Sequence, residues 1–306
     1  MARILTIGSI NLDEVFTVPH FIRPGETMAC KTYERFVGGK GNNQSTALVR
    51  AGAEVHHAGK VGQDGLFAVD LLRESGVDTS RVLTSDIPTG RALIQVDPSG
   101  QNCIILFGGA NRGITEQDVD TFLDGWGPGD SVLFQNEVSS LAYAMEQAKL
   151  RGLKIYFNPS PADDIIAQLP LDSVDCFILN EIEGAILADR DVSTAREQAD
   201  RILSALRTRF PRADILLTLG GSGSRFSSPR LEGPLSVAAT ADVPVDTTAA
   251  GDTFTGYFIA ALLRNADVRR ALEEASTAAG ICVSRKGAVS SIPWRNEVLA
   301  RLSSVS

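Results

Sequence analysis

The sequence predicts an α/β fold: a mostly parallel central sheet with helices on both sides and a small antiparallel sheet inserted as a lid. Three observations lead there. Short apolar runs with β-branched residues recur at Ile4 to Ile7, Val132 to Phe134, Ile155 to Phe157, Cys176 to Leu179 and Ile215 to Leu219, and such runs fit strands buried on both faces. Between them, apolar residues repeat at i+3 and i+4, as in Leu141, Ala144, Met145, Ala148 and in Ala195, Ala199, Ile202, Leu203, Leu206, Phe210. That is the period of a helix with one face on a core, and strands alternating with helices build a covered parallel sheet. Third, two stretches, Asp13 to Val37 and Gly90 to Phe107, break the rhythm, the latter as two strand-like runs around the turn Asp97-Pro98-Ser99-Gly100.

Taken in order, Met1-Ala2-Arg3 leads straight into Ile4-Leu5-Thr6-Ile7-Gly8 without a long apolar leader or a small-residue cleavage site, the pattern of a buried first strand in a cytoplasmic protein. The first lid segment follows and ends on Gly38-Gly39-Lys40-Gly41-Asn42-Asn43-Gln44, which opens a helix through Val49. After the second lid segment come the strand and helix runs named above, and near the end the segment Asp246 to Phe254 leads into the apolar helix Tyr257 to Leu263. At 306 residues the chain exceeds the usual domain size of about 150. It has neither an internal repeat nor a linker rich in Pro, Gly or Ser, so one body over residues 1–306 is expected, with lid insertions at about 13–37 and 90–107.

Composition excludes several functional classes. Hydrophobic residues at 43% and charged residues at 22% match a globular chain rather than a disordered one. The 29 Lys and Arg against 37 Asp and Glu leave a net charge of −8 with no basic block, which argues against nucleic acid or an anionic membrane as partner. No apolar stretch approaches the roughly 18 to 20 residues of a membrane span. The four cysteines, at 30, 103, 176 and 282, stand singly without metal-type spacing; small apolar fillers are expected, not a disulfide framework or a zinc site. The three histidines, at 20, 56 and 57, read as structural or surface residues.

The polar segments after the apolar runs carry the chemistry. Gly8-Ser9-Ile10-Asn11, Gln135-Asn136-Glu137, Asn158-Pro159-Ser160, Asn180-Glu181 and Gly220-Gly221-Ser222-Gly223 would share the carboxyl edge of a parallel sheet, where ligands bind. In Asp246-Thr247-Thr248-Ala249-Ala250-Gly251-Asp252, small residues at a helix start leave backbone N–H groups open to an anion. Asp252 beside that hole suits phosphoryl transfer, which needs charge stabilisation together with a base; read alone, it also fits an ordinary first-turn acid. The Gly38 to Gln44 segment is neither a Walker loop nor a dinucleotide fingerprint. Lys40, Asn42 and Asn43, with Asn11 and Asp13 pointing the same way on an extended strand, form a polyol clamp or simply a tight strand-to-helix turn.

These two segments resemble the signatures of the ribokinase (PfkB) family of carbohydrate kinases, and the resemblance runs nearly end to end, through Gly8 to Asp13, Pro24 to Thr27, Gly108 to Asn111, Asn158 to Pro161, Asn180 to Glu183, Thr218 to Gly220 and Arg285 to Trp294. It implies a ribokinase-like three-layer sandwich and transfer of the ATP γ-phosphate to the terminal hydroxyl of a small sugar, with D-ribose the leading acceptor. By the same resemblance Asp252 is the base, and Ala249, Ala250 and Gly251 form the anion hole. Asn11, Asp13, Gly39, Lys40, Gly41, Asn42, Asn43 and Glu137 hold the sugar. Asn180, Thr218, Gly220, Gly221, Ser222, Gly223 and Ser276 lie along ATP, and Asn180 with Glu183 organise Mg²⁺. Asp246, Thr248, Cys282, Arg285, Gly287 and Ser291 correspond to a K⁺ site, and the lid implies a homodimer. Two departures stand out: Asn42 replaces an alanine common in the family, and Ser276 replaces a histidine at the adenine pocket. The alternatives are another acceptor, such as 2-deoxyribose, a hexose, a sugar acid or a nucleoside, or a catalytically silent sugar-binding protein. A nicotinamide oxidoreductase would need a glycine fingerprint after the first strand, which Gly8 to Asn11 lacks.

Overall fold

The structure, a computed structural model, describes residues 2–240 and 242–304; Met1, at the head of the predicted first strand, lies outside them. Strands are β1 (Arg3–Ile7), β2 (Asn11–Thr17), β3 (Thr32–Gly38), β4 (Glu54–Gly62), β5 (Asp78–Ser85), β6 (Gly90–Val96), β7 (Asn102–Phe107), β8 (Ser131–Gln135), β9 (Lys154–Asn158), β10 (Cys176–Asn180), β11 (Asp214–Thr218), β12 (Ser224–Ser227) and β13 (Leu235–Val237). Helices are α1 (Lys40–Arg50), α2 (Leu66–Glu74), α3 (Glu116–Phe122), α4 (Leu141–Leu150), α5 (Glu181–Leu187), α6 (Ala199–Arg209), α7 (Ala250–Leu263), α8 (Val268–Val283) and α9 (Arg295–Ser303).

The large sheet runs β13-β12-β11-β10-β9-β8-β1-β4-β5. It is parallel from β5 to β11 and antiparallel at its β11-β12-β13 edge. Its central strands explain the unbroken apolar runs. In β8 to β11, Val132, Phe134, Ile155, Phe157, Phe177, Leu179, Ile215 and Leu217 point into one core, while Leu133, Tyr156, Cys176, Ile178 and Leu216 point into the other. Successive side chains alternate faces, and because helices cover both faces, the middle three positions of each of these strands are apolar, with polar residues confined to the strand ends. The three phenylalanines of these strands, Phe134, Phe157 and Phe177, are wholly buried, each stabilising the fold by about 1.5–3 kcal/mol.

The lid is a second sheet of order β3-β2-β6-β7. Each predicted segment forms an antiparallel pair, β2 with β3 and β6 with β7; the seam between the pairs, β2 with β6, is parallel. The Asp97 carboxylate accepts the N–H groups of Ser99 and Gln101 and so closes the predicted turn.

Three differences from the sequence reading have plain causes. β4 was not foreseen because His56, His57 and Lys60 interrupt its apolar pattern, yet His57 is fully buried with Ser45 Oγ at 2.9 Å from its Nδ1. The helix expected from Ala195 begins at Ala199, after a 3₁₀ turn at Val192–Thr194 whose start is capped by Asp191. Cys176 and Cys282 are buried fillers, but Cys30 and Cys103 are exposed on the lid, where a thin sheet has no interior to put them in. No helix of the described residues is long and apolar enough to cross a membrane.

Candidate active site

Helix α7 begins at Ala250, and Ala249 before it takes a left-handed φ of 60° with no side-chain cap. The N–H of Thr253 reaches Ala249 O (2.8 Å) and that of Ala250 reaches Thr247 O (3.3 Å), whereas the N–H groups of Gly251 and Asp252 have no backbone acceptor among the described residues. They therefore open, with the positive end of the helix dipole, onto a cleft of about 220 Å³. A Cβ built on Gly251 would meet no atom within 4 Å. The protein's own packing does not require glycine there, and the bare backbone suits a close-lying anion. Ala249, Ala250, Gly251, Asp252, Lys40, Asn180, Glu183 and Thr218 line the cleft together with Asn158, Ser160, Thr247 and Thr255.

Close helix packing positions Asp252. Helix α7 lies against α1, and at Gly256 the approach leaves no room for a side chain: a Cβ would fall 2.4 Å from Ala47 Cβ and 2.8 Å from Leu48 N. One turn earlier on the same faces, Asn43 Nδ2 donates to Asp252 Oδ2 (3.0 Å) and Gln44 Nε2 donates to Asp252 Oδ1 (2.8 Å). The carboxylate is buried, with 9% of its surface exposed, and each oxygen is held by an amide.

The polyol side lies where β2 leaves the main sheet. Asn11 Oδ1 accepts from Asn111 Nδ2 (2.8 Å). Asp13 is two residues further along β2, and a Cβ on Gly38 across the pair would overlap its carboxylate. Glu137 Oε2 accepts the hydroxyl of Ser9 and the backbone N–H of Lys40 (3.1 Å). Gly39 precedes the first residue of α1, and the Gly41 N–H donates to Ser9 Oγ (3.3 Å). Burial, with Glu137 and Asp252 nearby, pushes the Asp13 carboxyl up to about 6. Burial opposes the charge of Lys40, but the carboxylates of Asp252, Glu137 and Glu183 outweigh it, and the ammonium sits above the ordinary lysine range. Asn42 is buried and its amide donates to Asn43 Oδ1 (3.4 Å), so its influence on the clamp runs through Asn43.

Toward the nucleotide side, Asn180 caps α5: its Oδ1 accepts the Glu183 N–H (2.8 Å), while Glu183 accepts the Asn180 N–H (3.0 Å) and Nδ2 (2.9 Å). Burial raises the Glu183 carboxyl against the pull of those donors. Thr218 Oγ1 donates to Leu179 O (3.1 Å). Gly220 to Ser222 make a 3₁₀ turn beyond Thr218, with Gly221 and Ser222 exposed. Ser276 on α8 donates to Ala238 O (2.9 Å), and that residue abuts Gly223. None of the five lines the cleft: Gly220, Gly221 and Ser222 are exposed, while Gly223 and Ser276 are buried.

The residues expected to hold K⁺ gather beside the loop that leads into α7. Asp246 Oδ1 accepts Thr248 N–H (2.9 Å) and Oγ1 (2.7 Å), and its Oδ2 accepts the Gly287 N–H (2.9 Å). These donors, with Lys286, hold its carboxyl below the ordinary range although burial works the other way. Cys282 Sγ donates to Thr248 O (3.6 Å) and lies 3.1 Å from Ser291 Oγ; burial is the main cause of its raised thiol pKa. The Arg285 guanidinium turns away to pair with Glu297, while the backbone N–H of Arg285 donates to Cys282 O (3.0 Å). A carboxylate, backbone carbonyls and hydroxyls make an oxygen-rich set that fits a hard cation.

Gln44, Asn158, Ser160 and Thr255 were not singled out as site residues in the sequence. Asn158 and Ser160 sit in a polar segment after a strand, the one available signal; Gln44 is hidden by its place in the middle of a helix.

A carboxylate one step from two open N–H groups, a buried ammonium and a polyol-suited rim define a phosphotransferase site. Residues 1–295 match the pfkB family carbohydrate kinase model. The chain is 37% identical to a ribokinase of Haemophilus influenzae over 308 aligned residues, covering 98% of each chain. It superposes on a ribokinase from Arabidopsis thaliana complexed with ribose and ATP at a TM-score of 0.85, with 30% identity and 99% of each chain covered. The ribokinase of Cryptococcus neoformans in complex with ADP gives 0.85 with 34% identity, covering 98% of this chain and all of that one. The chain belongs to the pfkB family of carbohydrate kinases.

Proposed function

We propose that the protein transfers the γ-phosphate of ATP to the terminal hydroxyl of D-ribose, giving ribose 5-phosphate, with residues 1–306 acting as one kinase body. The observation that carries this reading is the Asp252 carboxylate, buried and held at both oxygens, beside the unpaired N–H groups of Gly251 and its own backbone. Asp252 takes the proton of the attacking hydroxyl. In the segment that Ala249 and Ala250 begin, the open N–H groups of Gly251 and Asp252 stabilise charge developing on the transferred group, and Lys40 at the cleft adds a positive charge. Asn11, Asp13, Gly39, Gly41, Asn42, Asn43 and Glu137 hold or support the sugar, and the ionised Asp13 accepts hydrogen bonds from its hydroxyls. Asn180, Thr218, Gly220, Gly221, Ser222, Gly223 and Ser276 border the nucleotide. The lid covers the sugar and keeps water from competing as acceptor.

Two cations belong to this reading. Glu183 and Asn180 would hold Mg²⁺; because the Glu183 oxygens already accept from Asn180, they act on the ion through water, as Mg²⁺ favours. That ion supplies charge neutralisation on the phosphates. Asp246, Thr248, Cys282, Arg285, Gly287 and Ser291 would surround K⁺ and tie the 246–248 loop, hence the start of α7, to the 284–291 turn.

The apolar edge strand β7, with Ile105 58% and Leu106 57% exposed, supports a homodimer through the lid, since unpaired sheet edges favour pairing. Two exposed thiols fit the reducing cytoplasm.

The test is ADP release with Mg-ATP over ribose, 2-deoxyribose, fructose and nucleosides, each with Na⁺ or K⁺. Ribose-dependent turnover that rises with K⁺ is expected. Turnover on another acceptor only would move the substrate, and silence on all would favour a binding protein.

A further inference from the structure

The kinase reading assigns no role to Gln44, yet this side chain is fully buried and makes three hydrogen bonds at the centre of the site. Its Nε2 carries two hydrogens and serves two acceptors, Asp252 Oδ1 at 2.8 Å and Asn158 Oδ1 at 3.0 Å. Its Oε1 accepts from Gln135 Nε2 at 2.7 Å. An amide can be rotated to exchange its oxygen and nitrogen, and two acceptors forbid it here: exchanged, Gln44 would turn its oxygen on the Asp252 carboxylate and on Asn158 Oδ1. The Gln135 amide follows this orientation and does not set it, since its own Oε1 has no partner. Asn158 is in turn fixed because its Nδ2 donates to the backbone carbonyl of Ile178 (2.9 Å), leaving its Oδ1 toward Gln44. From a β10 carbonyl through Asn158 and Gln44, the orientation of each group dictates the next, ending on the carboxylate of Asp252.

We propose that Gln44 is the positioning residue of the catalytic base: with Asn43 on the other oxygen it sets the plane of the Asp252 carboxylate and ties that plane to the nucleotide-side pair Asn180 and Glu183. The tie runs through Asn158, whose Nδ2 also lies 3.4 Å from Glu183 Oε2. A carboxylate bonded at one oxygen only can swing about its side-chain torsions. Held at both, it keeps its remaining lone pairs toward the cleft, and misplacement by about 1 Å is enough to cost on the order of 10²-fold in rate. The inference rests on Asp252 acting as base.

The experiment measures kcat and KM for D-ribose and ATP between pH 5 and 9 in the full-length protein, with Gln44→Leu, Gln44→Glu and Asp252→Asn. The charged and titratable groups facing Asp252 are Lys40 from α1, Asp13 from β2, Glu183 from α5 and Cys282 from α8, and all are unchanged in the Gln44 variants. Gln44→Leu is expected to lower kcat about tenfold or more with both KM values within about threefold, a loss confined to the transition state. Gln44→Glu keeps the shape but puts two carboxyls side by side, which must share a proton. The acid limb of its kcat profile should therefore move up by about one pH unit or more, with activity returning toward alkaline pH. A purely structural role would lower activity by one factor at every pH. Folded Gln44 variants with parental kcat and superimposable profiles, while Asp252→Asn is inactive, would overturn this inference alone; an active Asp252→Asn would overturn it together with the base assignment. If Gln44→Leu does not fold, the isosteric Gln44→Glu profile decides.

Discussion

Asp13 gives the account a test in which stability and binding move in opposite directions. Its carboxyl is raised from 3.8 to about 6 by burial and by the neighbouring Glu137 and Asp252 charges. The folded protein therefore binds the Asp13 proton more tightly than the unfolded chain does. The resulting stability is fully present below about pH 3.8 and is lost as pH rises through about 6. At 1.36 kcal/mol per pH unit, ionised Asp13 destabilises the empty protein by roughly 3 kcal/mol at neutral pH. Asp13→Asn mimics the protonated form in the same volume. Urea unfolding at pH 4 to 8 should show the variant gaining on the parent, from about 0.5 kcal/mol at pH 4 to as much as about 3 kcal/mol at pH 7.5. The difference between the two curves removes the titrating groups that do not interact with Asp13. Ribose affinity should meanwhile fall at pH 7.5, because the charged acceptor is lost. A stability gap independent of pH, or a variant less stable than the parent at pH 7.5, would refute the reasoning.

Two glycines separate packing from ligand binding. Gly251→Ala should leave unfolding free energy unchanged or raise it by up to about 1 kcal/mol, since alanine is the better helix former and its Cβ meets no protein atom, while kcat/KM for ATP falls on the order of 10²-fold; normal ATP kinetics would remove Gly251 from the anion hole. Gly256→Ala should do the reverse of sparing the fold: the Cβ 2.4 Å from Ala47 forces α1 and α7 apart, lowering stability by about 1–3 kcal/mol and stretching the Asn43 and Gln44 bonds to Asp252. Denaturant curves and kcat measured together check it, and a stable, fully active variant would show that this approach does not place the carboxylate.

The parallel core was legible because strands sandwiched between helices are apolar through their middle: Val132 to Phe134 and Ile215 to Leu217 announce themselves. β4 was not, because it carries His56, His57 and Lys60, and a buried histidine paired with a serine looks polar until its partner is known. The open helix start at Gly251 and Asp252 was legible because small residues before a helix leave its first N–H groups uncovered. Gln44 was invisible for the opposite reason. Nothing in a glutamine four residues after Lys40 tells that Gln135 and Asn158, 91 and 114 residues away, will meet it. The expected part of Asn43 as a sugar ligand now includes its bond to Asp252, a contact across 209 residues that only the α1–α7 packing creates.

The central claim, that Asp252 moves the proton while the rest of the site holds the substrates, is tested most directly by Asp252→Asn in steady-state turnover alongside ribose and ATP binding measured by calorimetry. The asparagine keeps the volume but cannot take a proton. The account predicts that kcat drops by about 10² to 10⁴ or more, with both dissociation constants within about threefold of the parent. Substantial residual turnover accompanied by a collapse of ribose or ATP affinity would contradict it and make Asp252 a binding residue instead.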